Sequence, residues 1–254
     1  MRVVVVGSGT VHPAPRRVQS CIAVEVGGET FVFDLGYGAV RGMLNVGLDP
    51  FAVDRIFFTH FHPDHTSDIV PLLFTTNYGL KRPRGKPLYL AGPEPFLRFW
   101  NSVLLSWGEW MSPKSFDLSV NELPLVCREP LGLPGGARLS WSKTEHRPES
   151  VAYRLDAPGS SFVYTGDTEY CESVATLAEG ADTLVIECSA PDDSPIPGHL
   201  TPAGIARIAS EAGVRRVVLT HVFPQTLDRD PRAAVRRSFG GEVILAGDGL
   251  SFRV

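Results

Sequence analysis

The chain lacks most of what would mark it as a secreted, membrane-bound or nucleic-acid-coating protein. Its four cysteines, Cys21, Cys127, Cys171 and Cys188, form no C-x-x-C pair and no framework spacing, so they read as reduced thiols in a cytoplasmic protein. No apolar run approaches the roughly 18 residues that a membrane span needs. The stretch Val3–Val6 before Gly7 is far shorter than the apolar core of a secretory leader. An excess of positive charge is also missing: the formal charge is -4 and the pI about 6.0, which argues against gripping nucleic acid by bulk electrostatics. The local basic clusters, Lys81 to Lys86 and Arg232 with Arg236-Arg237, are expected on solvated faces. Gly7-Ser8-Gly9 has no third glycine at the dinucleotide-binding spacing. No G-x-S-x-G nucleophile elbow occurs.

What remains is an ordinary globular composition, with 43 % hydrophobic and 20 % charged residues in 254. No linker or low-complexity tract divides it, so residues 1–254 are expected to form one domain. Short β-branched runs open the chain at Val3–Val6, Ile22–Val26 and Phe31–Phe33, the last two joined at Gly27-Gly28. A helix is expected over Tyr37–Val46, a buried strand over Arg55–Thr59, and a helix from Asp64 or Thr66 to Leu73. Another helix covers Pro95–Ser106, with Phe96, Phe99, Trp100 and Val103 at helical spacing. Strands dominate from about Leu123 to Val163. The last third alternates: strand Thr183–Glu187, helix Thr201–Ala212, strand Arg215–Thr220, helix Pro231–Phe239, strand Val243–Leu245. Two internal similarities stand out. Val53–Pro63 aligns with Val214–Pro224, each a buried strand ending in Thr-His, and Phe31–Asp34 resembles Phe162–Tyr164 leading to Asp167. They suggest paired β-rich halves meeting at a shared site.

Histidine is scarce too, at seven residues, yet six of them fall in one pattern. His60-Phe61-His62-Pro63-Asp64-His65 offers four ligand side chains in six residues, followed by His146, Asp167, His199 and His221. Neutral imidazole nitrogen with hard carboxylate oxygen suits zinc and similar divalent ions. Four such donors cannot all surround one tetrahedral ion, so the cluster is expected to serve two. His60 and His62, two apart at a strand exit, project to the same side. They are assigned with His146 to one ion, and Asp64, His65 and His221 to the other. Asp167 is shared, since a bridging ligand needs negative charge and two accessible oxygens. The remaining positions would hold a bridging hydroxide. His12 is read as loop, Asp34 as fixing loops rather than metals, and Trp100, Trp107, Trp110 and Phe116 as core or a dimer surface.

This spacing resembles the metallo-β-lactamase superfamily over nearly the whole chain, and within it the ribonuclease Z branch. Gly7-Ser8-Gly9-Thr10, Pro15-Arg16-Arg17, Phe33-Asp34-Leu35-Gly36, Glu187-Cys188-Ser189, His199-Leu200-Thr201 and Leu219-Thr220-His221 share that branch's cadence. The resemblance implies an α+β four-layer αβ/βα sandwich, with two mixed sheets face to face, helices outside and the metals at one edge. It also implies phosphodiester hydrolysis, catalytic roles for Asp64 and His199 with Glu187 orienting the latter, and a homodimer. One departure is clear. The tRNA-processing members carry a long Gly/Pro-rich arm between the third histidine motif and the bridging aspartate, whereas here only Arg147 to Gly166 intervenes. The expected activity is therefore a two-metal hydrolase, zinc by ligand type with manganese or iron as alternatives. Its expected substrate is a phosphodiester in a small molecule or short nucleic acid. Rivals are a tRNA 3′-end endonuclease, an ester, thioester, lactone or β-lactam hydrolase, and a non-catalytic metal-binding scaffold. A diiron oxygen reductase is disfavoured because it would carry glutamate where His62 stands, plus a flavin domain.

Overall fold

Alternation within the strands builds three apolar layers. In a computed structural model describing residues 1–254, the strands in chain order are β1 (Arg2–Gly7), β2 (Cys21–Val26), β3 (Glu29–Phe33), β4 (Arg55–Phe57), β5 (Leu88–Pro93), β6 (Leu118–Leu123), β7 (Leu131–Gly132), β8 (Arg138–Lys143), β9 (Val151–Ala157), β10 (Ser160–Tyr164), β11 (Thr183–Glu187), β12 (Arg216–Thr220), β13 (Glu242–Leu245) and β14 (Ser251–Arg253). The α-helices are α1 (Ala39–Asn45), α2 (Pro63–Thr66), α3 (Ile69–Tyr78), α4 (Phe96–Trp107), α5 (Glu172–Leu177), α6 (Pro202–Ala212), α7 (Pro224–Leu227) and α8 (Pro231–Arg236). Val3 and Val5 face the space between the sheets, while Val4 and Val6 face the helices on the other side. On β12, Val218 faces inward and Val217 and Leu219 outward. Strands buried on both faces read as continuous apolar runs rather than alternating ones, which is what these segments show.

The strands form two seven-stranded sheets, β14-β1-β2-β3-β4-β5-β6 and β13-β12-β11-β10-β9-β8-β7. In each, an antiparallel meander (β1–β3 or β8–β10) is followed by three strands added in parallel (β4–β6 or β11–β13). The sheets meet over a shared core containing Phe31, Phe33, Phe57, Tyr153, Phe162 and Tyr164. Residues from α1, α3 and α4 cover the first sheet's outer face, and residues from α5, α6 and α8 cover the second's. This is the four-layer sandwich that the motifs implied.

Three expectations are corrected by this topology. The helix from Asp64 to Leu73 is two pieces, α2 and α3. The Asp68 backbone N–H donates to Leu35 O at 3.0 Å instead of continuing the ladder, and its carboxylate accepts from Gly38 N at 3.0 Å and Val40 N at 2.8 Å, capping α1. Second, the strands at Leu88–Pro93, most of Leu118–Leu123, and Ser251–Arg253 fell outside the expected strand regions. Third, of the two internal similarities, Phe31–Asp34 with Phe162–Asp167 joins equivalent strands, β3 and β10. The Thr-His pair does not: β4 lies beside β3, whereas β11 separates β12 from β10. That match reflects the shared demands on a buried parallel strand ending at the site. The Pro202 helix behaves as expected, with Thr201 Oγ1 accepting from Gly204 N and Gly213 closing it in the left-handed region.

Phe33 packs on Phe57, Tyr153, Phe162 and Tyr164 with ring centroids 5.5–6.3 Å apart. Phe33→Ala should therefore lower stability by about 3–5 kcal/mol in a denaturant melt. A loss under about 1 kcal/mol would show that the two sheets are not held by this aromatic layer.

Candidate metal centre

The strand ends deliver the polar groups. Thr59 and His60 follow β4, and Asp34 follows β3. Thr165-Gly166-Asp167 follows β10, Glu187 ends β11, and His221 follows β12. The loops add His62, α2 adds Asp64 and His65, and the β8–β9 turn adds His146. His60, His65, Asp64, Asp167 and His221 are buried, while His62 and His146 are partly open. Gly166 and Gly198 permit the close approach. Both have positive φ, and a Cβ would lie 2.7 Å from Thr59 at Gly166 and 2.9 Å from the His146 ring at Gly198.

These side chains divide into two sets around one carboxylate. Asp167 Oδ2 faces His60 Nε2 at 3.9 Å and His146 Nε2 at 3.8 Å, and His146 Nε2 stands 3.1 Å from His62 Nδ1. Asp167 Oδ1 faces His65 Nε2 at 3.3 Å and His221 Nε2 at 3.6 Å, and Asp64 Oδ2 lies 3.3 Å from His221 Nε2 and 3.9 Å from His65 Nε2. Two donors bound at about 2.1 Å to one tetrahedral ion stand about 3.4 Å apart, within the spread of these separations. His199 lies alongside, its Nδ1 3.9 Å from Asp167 Oδ2.

Each ring's orientation is fixed from behind. His65 Nδ1–H donates to Asp34 Oδ2 at 2.7 Å, and His146 Nδ1–H donates to Gly198 O at 2.8 Å. Thr59 Oγ1 donates to Asp34 at 2.9 Å and so accepts from His60 Nδ1–H at 3.0 Å. Ser189 Oγ donates to Glu187 and so accepts from His221 Nδ1–H at 3.0 Å. With Nδ1 holding the hydrogen, all four rings present an Nε2 lone pair to the centre. His62 alone presents Nδ1. Two of these nitrogens, His60 Nε2 and His65 Nε2, together with Asp167 Oδ1, are buried with no hydrogen-bond partner. Leaving such atoms unmatched costs about 1–3 kcal/mol each, and a cation would satisfy all three. The donor set fits a metal.

The electrostatics point the same way. Burial holds the His60 ring well below the usual imidazole range, and His65 reinforces this. Burial also opposes charge on His65, yet the carboxylates of Asp167 and Asp34 outweigh it and pull that ring well above. Burial would raise Asp167, but His221 and His65 hold it well below the carboxylate range. The pocket draws positive charge into a place with little water.

Asp34 is the main addition to the site as read from sequence. Fully buried at φ 60°, it accepts from Thr59 N at 2.7 Å, Thr59 Oγ1, His65 Nδ1 and Tyr164 Oη at 2.9 Å, so besides fixing the loop after β4, as expected, it orients two of the histidines. Its place at a strand end before Leu35-Gly36 was visible; its contact with His65 was not. His12 lies on an exposed loop outside the candidate metal groups. Glu187 Oε1 accepts from His199 Nδ1–H at 2.9 Å and from Thr168 N at 2.8 Å.

Two facing sheets with a histidine–aspartate cluster at their strand ends define a metallo-β-lactamase-type centre. Comparisons with known proteins agree. A family profile described as "Beta-lactamase superfamily domain" matches residues 41–222. The chain is 30 % identical to ribonuclease Z of Methanothermobacter thermautotrophicus, covering 87 % of this chain and 86 % of that one. It is 29 % identical to ribonuclease Z of Myxococcus xanthus, over 99 % and 97 %. Among solved structures, the metallo-β-lactamase fold protein YhfI of Bacillus subtilis superposes with a TM-score of 0.84 at 24 % identity, over 99 % and 98 %. Human tRNase Z, short form, gives 0.77 at 24 %, over 100 % and 99 %. The chain belongs to the metallo-β-lactamase superfamily.

Asp34→Asn removes the charge that holds His65 and Thr59. It should lower metal affinity about 10–100-fold, measured by competition with a chromophoric chelator, while the far-ultraviolet circular dichroism is kept. Unchanged affinity would mean that Asp34 does not orient the donors.

Proposed function

We propose that the protein is a metal-dependent phosphodiesterase using two divalent ions, zinc by ligand type. His60, His62 and His146 would hold one ion and Asp64, His65 and His221 the other, with Asp167 available to both. The carrying observation is that each oxygen of Asp167 faces a different pair of imidazole nitrogens. Such ions supply charge against a phosphate and acidify a bound water toward neutrality. The substrate is a phosphodiester of a small molecule or short nucleic acid. The relatives named ribonuclease Z support a nucleotide-type substrate. The segment from Arg147 to Gly166, by contrast, is taken up by the short hairpin β9–β10, which supports a reading without the tRNA-gripping arm. The four cysteines are unpaired, which supports the cytoplasm, and no helix is long and apolar enough to cross a membrane. We take the working form as a homodimer.

The chain's own groups then divide the work. Asp64 and Asp167 place negative charge where cations would sit, and His62 and His146 are the partly open members of the set. His199 is the acid for the departing oxygen. Glu187 occupies its Nδ1, so Nε2 is the nitrogen free to carry a proton outward. Burial opposes charge on this ring, but the Glu187 hydrogen bond and charge, joined by Asp167, raise it to about 9. The ring is thus protonated at neutral pH and gives up its acid form only as pH rises through that value.

Bis-p-nitrophenyl phosphate should be hydrolysed far faster than nitrocefin or a thioester, and a preference for either carbonyl substrate would reverse this reading. His62→Ala and Asp167→Ala should each reduce turnover by at least about 100-fold with loss of metal measured by elemental analysis. Full activity in both would exclude the assigned donors. His199→Ala should keep its metal while slowing esters with poor leaving groups more than activated ones. The wild-type rate on poor leaving groups should fall above about pH 9, and a flat alkaline limb would remove His199 as the acid.

A further inference from the structure

A cavity of about 350 Å³ opens on the flank of His199. Tyr170, Pro195, Ile196, Pro197 and Leu200 give it rigid apolar surface, and Glu169 supplies its one carboxylate. No lysine or arginine lines it. The walls are held in place. Tyr170 Oη donates to Glu211 Oε2 at 2.8 Å, and the Arg207 guanidinium covers the tyrosine ring at 3.7 Å. The strip from Pro195 to Gly198 is pinned twice. Gly198 N donates to Glu169 Oε1, and His199 N donates to Ile196 O at 3.1 Å. Glu169 is exposed and forms no ion pair within the chain, so its second oxygen faces no internal cation.

We infer that this cavity receives the leaving half of the substrate, and that this half is one uncharged, nucleoside-sized alcohol. The inference rests on the phosphodiesterase reading above and narrows it to a diester whose departing side carries no further phosphate. Position, size and charge each select that occupant. In the hydrolysis, water adds to phosphorus, one P–O bond breaks, and the departing oxygen takes the proton of His199. The group bonded to that oxygen must lie beside this ring, and the cavity is a space the ring borders. Its volume is near the low end of the roughly 300–1,000 Å³ that small ligands occupy, which fits one nucleoside and not a run of nucleotides. The apolar walls take the face of a base, and Glu169 accepts from a sugar hydroxyl or an exocyclic amine. The same carboxylate opposes a second phosphate. At roughly 6 Å in a half-wet cleft, such a like-charge pair weakens binding about tenfold. No cation in the lining offsets it. A longer strand would bring exactly one such phosphate per added nucleotide toward this wall, so the cavity favours a small diester over a nucleic acid.

Hydrolysis of thymidylyl-thymidine by the metal-loaded full chain tests this, with bis-p-nitrophenyl phosphate run beside it. Chromatography of the products shows which nucleoside departs. The comparison is then with the same dinucleotide carrying a terminal phosphate on that nucleoside. The added phosphate should lower kcat/KM at least about tenfold. Glu169→Gln keeps an oxygen for Gly198 N but removes the charge, so the penalty should shrink to within about threefold. Metal content and circular dichroism confirm that this variant is loaded and folded. A second readout needs no turnover: free thymidine should bind, followed by broadening of its NMR signals, and Tyr170→Ala should weaken it at least about threefold. Equal rates with and without the added phosphate, or a penalty that persists in Glu169→Gln, would overturn the assignment of the cavity. Thymidine binding indifferent to Tyr170→Ala would do the same. Activity on bis-p-nitrophenyl phosphate with none on thymidylyl-thymidine overturns this inference and leaves the phosphodiesterase reading. No hydrolysis of either diester overturns both.

Discussion

A single buried carboxylate, Asp167, stands between two groups of imidazole nitrogens with one oxygen turned to each. Little water reaches it, and its charge is answered only by rings whose outer nitrogens are already occupied. Such a group is costly to bury unless cations join it. The two-sheet architecture makes the meeting possible. Asp167 rides out of β10 in the second sheet and His60 out of β4 in the first, so bound cations would fasten the sheets together at the edge where the aromatic core ends.

Behind that edge, two further carboxylates play matching parts in the two sheets. Asp34 leaves β3 and holds His65 and, through Thr59, His60. Glu187 ends β11 and holds His199 and, through Ser189, His221. In each case a carboxylate fixes one ring directly and a second through a hydroxyl, which sets tautomers as well as positions. Strain is concentrated here too. Asp34 and His221 are two of the three non-glycine residues with positive φ, at 60° and 50°, a conformation that persists only where surrounding contacts enforce it.

Sequence marked the candidate donors because their density is improbable: four side chains able to ligate a metal within six residues after a buried strand leave few other readings. His146, Asp167 and His221 were legible through order and context, and the structure brings all seven side chains to one place. Asp34 was not legible as a partner of His65, since that bond spans 31 residues and depends on a backbone bend no local pattern encodes. The α2–α3 break was hidden for a similar reason, because Asp68 exchanges a helical bond for one with Leu35 from a neighbouring loop. The internal Thr-His similarity misled by one strand. Residue choice in a buried parallel strand reports its environment, while its place in the sheet is set by topology.

The most direct test of the central claim is anomalous scattering from a crystal of the zinc-loaded protein, collected on both sides of the zinc edge. The account predicts two peaks flanking the Asp167 carboxylate, one near His60, His62 and His146 and the other near Asp64, His65 and His221. A fully active enzyme showing one peak that touches both histidine groups, or peaks remote from Asp167, would contradict it.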